Sequence, residues 1–228
     1  MSLRKPISPA AAAALALYGS APRSVRAHLR VRWRTCPLDA VAERVPERGR
    51  VLDLGCGHGL LGAYLALTSP HRLVLGVDLD DRKVAYARAA AERARARGAA
   101  LEFGVAPGGV VPPGPWDAIS VVDVLYLLEE QQQRALLVEA AGQLAPGGAL
   151  LVKEMAGRPR WKHRWNQLQE TISVRLLRIT ATERHRFCFV PPAITRGWLE
   201  AAGLAVEEAP LHRGYLHPHH LLVATRSA

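Results

Sequence analysis

Cysteine is scarce in this chain of 228 residues: only Cys36, Cys56 and Cys188 occur, odd in number and far apart. That excludes a disulfide framework and a zinc centre built on paired cysteines. No apolar run reaches the about 18 residues that a membrane-spanning helix needs. Zinc-finger and RNA-recognition signatures are missing too. Acid is sparse in two stretches, residues 1–50 and 153–196, each with ten Lys+Arg against three Asp+Glu, a net of +7, whereas the remainder is net −4. The overall +10 therefore resides in two basic segments. Such a surface suits a phosphorylated or carboxylated small molecule, an anionic membrane surface or nucleic acid, with a merely solvated basic face as the plain alternative.

What is present is enough for a sizeable core: 49% of residues are hydrophobic, in a chain of ample length. Ala10 to Leu17 follows Arg4 and Lys5 in the manner of a secretion signal, but the run is short and leads to Tyr18, Arg23 and Arg26 without a cleavage pattern. The expectation is a helix in a cytoplasmic protein. Beyond it the pattern alternates in the α/β manner. Residues 8–45 are predicted helical and amphipathic, followed by strands near 50–54, 73–77, 101–104, 118–123 and 149–154. Helices are predicted near 59–68, 81–97 and 130–143, with a last helix at 193–203 and apolar runs at 204–209 and 220–224. Pro107 to Pro115 reads as a glycine- and proline-rich loop.

The chemistry concentrates in Val51-Leu52-Asp53-Leu54-Gly55-Cys56-Gly57-His58-Gly59, followed by Gly76-Val77-Asp78. Gly55, Gly57 and Gly59 permit positive φ and close backbone approach, so a turn leaving a buried strand can pass beneath a ligand and enter a helix near Leu60 with its amides facing that ligand. Asp78 ends the next apolar run at the spacing expected of a carboxylate that accepts ribose hydroxyls. Asp53, two residues before the first glycine, would repel a pyrophosphate but suits an ammonium or sulfonium group. Charge therefore favours S-adenosylmethionine over a dinucleotide. Gly57-His58-Gly59-Leu60-Leu61-Gly62 also matches G-x-G-x-x-G, a weak motif that leaves a nicotinamide-dependent oxidoreductase as a rival.

At these residues the chain resembles the class I S-adenosylmethionine-dependent methyltransferases, whose first motif is an acid followed by alternating glycines. The resemblance continues through Asp78, through Trp116 to Leu125 as the fourth strand, and through Leu144-Ala145-Pro146-Gly147-Gly148-Ala149-Leu150-Leu151 as the turn into the fifth. It implies a Rossmann-like α/β fold, a seven-stranded mostly parallel sheet with a C-terminal antiparallel hairpin, over residues 46–228. Residues 1–45 would form a helical cap extension and 157–190 a cap insertion over the acceptor. The family often carries an acid after the third strand; Phe103-Gly104-Val105-Ala106-Pro107 has none, so adenine recognition falls to backbone near Ala106 and packing on Leu79. The donor contacts implied are Asp53, Gly55, Cys56, Gly57, His58, Gly59, Asp78, Leu79, Ala106 and Asp123, with no metal. Asp123 either reaches the sulfonium end or the acceptor, or bonds to nearby backbone. Cys56 reads as a small packing residue, Asp117 as a cap at the strand entry.

In-line methyl transfer needs positioning and exclusion of water, and a base only for a protonated acceptor. His163 and Tyr126 are the catalytic candidates taken forward from a wider set of Asp123, Glu154, His212, His217, His219 and His220. The Asn/Asp-Pro-Pro-aromatic sequence of base amino methyltransferases is absent after the fourth strand, where Val122-Asp123-Val124-Leu125-Tyr126-Leu127 stands. A small acceptor of amphiphilic or acidic kind, methylated on oxygen, is the expectation, with peripheral contact to an anionic membrane as a possible partner mode. RNA or protein methylation through the basic cap, and a non-catalytic protein that keeps the fold, are the alternatives. Acceptor identity and oligomeric state are not encoded in any motif.

Overall fold

The computed structural model describes residues 7–155, 187–211 and 219–228. Three helices come first: α1 (Pro9–Ala16), α2 (Arg23–Thr35) and α3 (Leu38–Ala42). They lead into β1 (Gly49–Leu54), α4 (Leu60–Thr68), β2 (Arg72–Asp78), α5 (Asp81–Arg95), β3 (Ala100–Val105) and β4 (Trp116–Val122). Then come α6 (Glu130–Gly142), β5 (Leu144–Met155), α7 (Pro192–Ala201), β6 (Leu204–Pro210) and β7 (His219–Arg226). The seven strands form one sheet in the order β3-β2-β1-β4-β5-β7-β6. The first five are parallel, and β7 runs antiparallel to both β5 and β6. Every strand and helix expected within the described residues is present, with ends displaced by a few residues; most of the expected cap insertion at 157–190 lies outside them.

Strands buried on both faces read as continuous apolar runs, and Val51 to Leu54 and Ala118 to Val122 are buried throughout. One face of the sheet packs Ala118, Val122, Leu151 and Leu221 beneath α1–α5, and the other packs Ile119, Val121, Leu150 and Leu222 against α6 and α7. Helix α4, Leu60-Leu61-Gly62-Ala63-Tyr64-Leu65-Ala66-Leu67-Thr68, is apolar nearly all round, as a helix with neighbours on most sides must be. It is covered outside by α1, whose Ala11 and Ala14 are fully buried and admit close approach. Helix α2 buries Val25, Leu29 and Trp33 at four-residue spacing and turns Arg23, Arg30 and Arg34 outward. The N-terminal helices thus share one apolar core with α4 and α5.

Buried Arg72 at the foot of β2 binds that layer together: its guanidinium donates to the carbonyls of Val45, Pro46 and Leu65 and to the Thr68 hydroxyl. One local expectation is modified. Pro146-Gly147-Gly148 lies inside β5 as a bulge, since Trp116 pairs with Leu144 and Ala118 with Ala149, leaving extra residues on the β5 side. A Cβ at Gly148 would stand 2.8 Å from the Trp116 carbonyl oxygen, so only glycine lets the strands close up.

The chain order reverses between β1 and β4: β2 and β3 are added on one side, β4 and β5 on the other. In open α/β sheets the ligand crevice lies beyond the carboxyl ends of the strands at that reversal. Asp53, the glycine turn, Asp78 and Asp123 all fall there.

Candidate functional site

The turn after β1 is held in place by β2. Gly55 and Cys56 N–H both donate to the Val77 carbonyl, at 2.8 and 2.9 Å, and Gly57 N–H donates to Asp78 Oδ2 at 2.7 Å. All three glycines adopt positive φ, as their pattern implied, but only Gly57 faces open space. A Cβ there would meet nothing within 4 Å, whereas one at Gly59 would stand 2.3 Å from Phe103 Cζ. Gly59 is therefore a packing glycine and Gly57 the one that faces open space.

Asp78 Oδ1 accepts from Asp80 N–H at 2.9 Å. With one amide on each oxygen, the carboxylate keeps lone pairs for two further donors, the number a ribose diol offers. Asp53 is 3% exposed. Its Oδ1 accepts from the Ser120 hydroxyl at 2.9 Å, and its Oδ2 is buried without a hydrogen-bond partner. Burial pushes this carboxyl up to about 6, against the Ser120 hydroxyl, the Arg32 charge and the Gly62 amide, which favour the ionised form. An orphaned buried oxygen one residue before the strand end is what a cationic ligand group would satisfy. The residues therefore fit S-adenosylmethionine: Asp53 for its positive end, Gly57 as bare backbone, Asp78 for its sugar.

The remaining expected contacts are placed as follows. Leu79 is 60% exposed beside the crevice, an apolar surface open to a base. Ala106 is half-buried; its N–H donates to the Asp78 carbonyl, and its own carbonyl accepts from Gly109. What it offers an adenine is therefore mainly its methyl face. The Cys56 thiol points to the Gly57 carbonyl, and burial pushes its pKa far up, so it is a packing group. His58 lies between His28 of α2, with ring centroids 5.3 Å apart, and Tyr86 of α5, at 6.0 Å. Burial, with His28 and Lys83 close by, pushes its imidazole down to about 4. Its carbonyl accepts from the buried Tyr18 hydroxyl at 2.7 Å, fastening the turn to the segment after α1.

At the end of β4 the structure brings together residues that the sequence did not connect. Asp123 adopts φ 57, and its N–H donates to the Lys153 carbonyl. Lys153, fully buried, places Nζ 2.5 Å from Asp123 Oδ1. Cys36 donates its thiol to Asp123 Oδ2 at 3.3 Å, and Arg32 Nη1 lies 3.6 Å from the same oxygen. Although burial works against ionisation, Lys153 and Arg32 hold the Asp123 carboxyl below the usual range. Next to it Glu154 Oε1 accepts from Val124 and Leu125 N–H, fixing the short turn at Leu125–Leu127. Burial, helped by the Asp123 charge, pushes Glu154 up to about 8. The signal for this cluster was a lysine and a glutamate ending an otherwise apolar strand; their partners lie 29 or more residues away.

Tyr126 rises from that turn into an aromatic group, stacked on Phe189 at 5.5 Å and edge-on to Phe187 at 5.6 Å. Burial, with the Asp123 charge, pushes its hydroxyl pKa far up. At neutral pH it can donate a hydrogen bond but not take a proton. His163, His212 and His217 lie outside the described residues. His219 Nε2 sits 3.1 Å from the Thr35 carbonyl. His220, opposite Glu154 in the β5–β7 pairing, is buried, and its Nδ1 has no hydrogen-bond partner. Among the described residues no cluster of His, Cys, Asp and Glu could hold a metal ion, and no helix is long and apolar enough to cross a membrane.

A family model described as a methyltransferase domain matches residues 25–209. A ubiquinone biosynthesis O-methyltransferase of Xylella fastidiosa is 30% identical over 187 residues, covering 75% of this chain and 67% of that protein. The structure of an O-methyltransferase family protein from Burkholderia thailandensis superposes with a TM-score of 0.66 at 25% identity, covering 90% of this chain and 61% of that one. The chain thus spans somewhat less than two thirds of that structure's length. The fold is also that of magnesium protoporphyrin IX methyltransferase from Synechocystis, solved with S-adenosylhomocysteine bound, at a TM-score of 0.63 and 21% identity over 84% of this chain and 82% of that one.

Proposed function

The chain belongs to the class I S-adenosylmethionine-dependent methyltransferases, and on that premise we propose that it methylates an oxygen atom of a small amphiphilic or acidic metabolite. The donor, when bound, would supply a methyl group on a sulfonium: an acceptor oxygen bonds to the methyl carbon in line as the carbon–sulfur bond breaks and S-adenosylhomocysteine leaves. In this reading Asp53 meets the donor's cationic end, Asp78 its ribose and Leu79 and Ala106 its base, while Gly55, Cys56, Gly57, His58 and Gly59 form the floor. The observations that carry the donor assignment are the unpartnered Oδ2 of buried Asp53 and the open space at Gly57 in the turn that follows its strand.

The acceptor assignment rests on the acid–base inventory at the strand ends. The Tyr126 hydroxyl stays protonated, and Glu154 spends one oxygen on two backbone amides. A carboxylate or acidic phenol arrives already ionised and needs no base, so positioning and exclusion of water suffice. Tyr126 then serves as wall and hydrogen-bond donor. His163 keeps its place as a candidate base only for an acceptor that arrives protonated. The similarity to O-methyltransferases supports transfer to oxygen. Residues 1–45 act as a cap: Tyr18, His28 and Arg32 all reach the crevice from it. Residues 157–190 are assigned to the same cap by their place in the chain. Arg23, Arg30 and Arg34, with exposed Val31, give α2 an outer face suited to an anionic surface. Three unpaired thiols accord with a cytoplasmic location.

Calorimetry with S-adenosylhomocysteine and with NADH tests the donor half. Binding of the former alone, abolished by Asp78→Ala, is expected; preference for the dinucleotide would overturn it. Methyl transfer from labelled donor to small phenols and carboxylic acids, but not to RNA or protein, tests the other half.

A further inference from the structure

The charges at the mouth of the crevice do not cancel in pairs. Lys153 and Asp123 satisfy each other at 2.5 Å with the lysine wholly enclosed. Arg32 is left with two long contacts, Nη2 to the Val122 carbonyl at 3.4 Å and Nη1 to Asp123 Oδ2 at 3.6 Å. Both lie beyond the distances at which a charged hydrogen bond is strong. The other carboxylate whose field it feels is Asp53, which the reading above assigns to the donor's positive end. One guanidinium therefore stands at the top of β4 sharing Asp123 with a closer lysine, and its side chain is 34% exposed where that of Asp123 is 10%.

Its position on α2 explains this. Val25, Leu29 and Trp33 form the buried stripe, with Cys36 continuing it beyond the helix, and Arg32 flanks that stripe on the side facing the strand ends. Within electrostatic reach stands Tyr126, part of the aromatic group with Phe187 and Phe189. A planar fork of donors beside a flat apolar wall is the arrangement that reads a carboxylate or a similar oxyanion carried on an apolar body.

We propose that Arg32 is the anion anchor of the acceptor subsite, and that the acceptor carries a carboxylate or other anionic oxygen group on an apolar body packed against Tyr126 and Phe189. This rests on the methyltransferase reading and narrows its substrate class. Arg32 positions the acceptor; it also neutralises part of an oxyanion whose neighbour Asp123 would otherwise repel it.

The test uses the whole chain saturated with S-adenosylhomocysteine and matched acid and amide probes: benzoate with benzamide, cinnamate with cinnamamide, octanoate with octanamide. In wild-type protein, acids should bind about tenfold or more tighter than their amides by calorimetry, the scale of one charged hydrogen-bonded contact. Arg32→Gln should erase that preference while the protein still binds S-adenosylhomocysteine to saturation. Arg32→Lys, which keeps the charge but not the fork, should fall between and guards against a folding defect in the first variant. Equal or absent binding of acids and amides by the wild type overturns the proposal, as does an acid preference that survives Arg32→Gln. Loss of S-adenosylhomocysteine binding in Arg32→Gln would place the residue on the donor and overturn it too. Failure of wild-type protein to bind S-adenosylhomocysteine is a separate result that strikes the methyltransferase reading itself.

Discussion

Replacing Lys153 by methionine should destabilise the protein far more than its position near the end of a strand suggests. The methionine keeps most of the apolar stem, so the change is chiefly removal of an ammonium group 2.5 Å from Asp123. What remains is a carboxylate at φ 57 with, among the described residues, Cys36 at 3.3 Å and Arg32 at 3.6 Å around it. Breaking a buried ion pair from one side costs about 3–5 kcal/mol. Arg32 can move in and recover part of this, which puts the loss near the lower end, about 3 kcal/mol. For a domain of this size that lowers Tm by about 6–12 °C. Thermal and urea unfolding followed by circular dichroism at pH 7 would measure it. The double variant Lys153→Met with Asp123→Asn should regain at least half of the loss, because the stranded charge is gone. The sign with pH is set as well: Asp123 has a depressed folded pKa, so its contribution is present above the unfolded carboxylate value and is lost as pH falls through the folded one. The wild type should therefore lose more stability than Lys153→Met on acidification. A single variant within about 2 °C of wild type, under 1 kcal/mol on the same scale, or a double variant no better than the single, would refute the reasoning.

Four further outcomes follow from the crevice. Gly59→Ala, at φ 77 with Phe103 in the way, should cost about 2–4 kcal/mol by urea titration. Gly57→Ala should cost only about 1–2 kcal/mol of backbone strain yet weaken S-adenosylhomocysteine binding in calorimetry, since its methyl enters the ligand's space. Tyr18→Phe, which removes the hydroxyl donating to the His58 carbonyl, should cost about 1 kcal/mol and weaken donor binding in the same assay; unchanged donor affinity would show that the turn does not rely on that tie. Asp53 is raised to about 6 in the folded chain. Its contribution to the stability of ligand-free protein should thus be lost as pH rises from about 4 to 6, the unfolded and folded values, read as a change over that window in the stability difference between wild type and Asp53→Asn, because His58 and Glu154 also titrate differently in the folded chain; donor binding should weaken as pH falls below that upper limit.

The pattern of apolar residues located all seven strands because a sheet covered on both faces must be written in Val, Leu, Ile and Ala, and the intervening helices because their buried positions recur at helical spacing. The donor floor was legible for the same local reason: Asp53, Gly57 and Asp78 are 4 and 21 residues apart and are joined by a single β-α-β unit. What stayed hidden depends on distant pairing. Cys36, Asp123 and Lys153 meet only because α2 crosses the strand ends and β5 lies beside β4, and no spacing announces such a cluster. Arg32 was one of ten basic residues in a stretch where charge could be summed but not placed. The Pro146-Gly147-Gly148 bulge was missed because the same residues suit a turn equally well. His58 was read as a donor contact without sight of the rings from α2 and α5 on either side of it.

The sheet order also has a consequence for synthesis. β6 has one partner among the described residues, β7, and β7 is threaded between β6 and β5. A nascent chain leaving the ribosome presents β6 before that partner exists, so the strand emerges with unsatisfied backbone groups on both edges and must wait. Glu207 and Glu208 in its centre carry charge that discourages association with a neighbouring polypeptide during that interval.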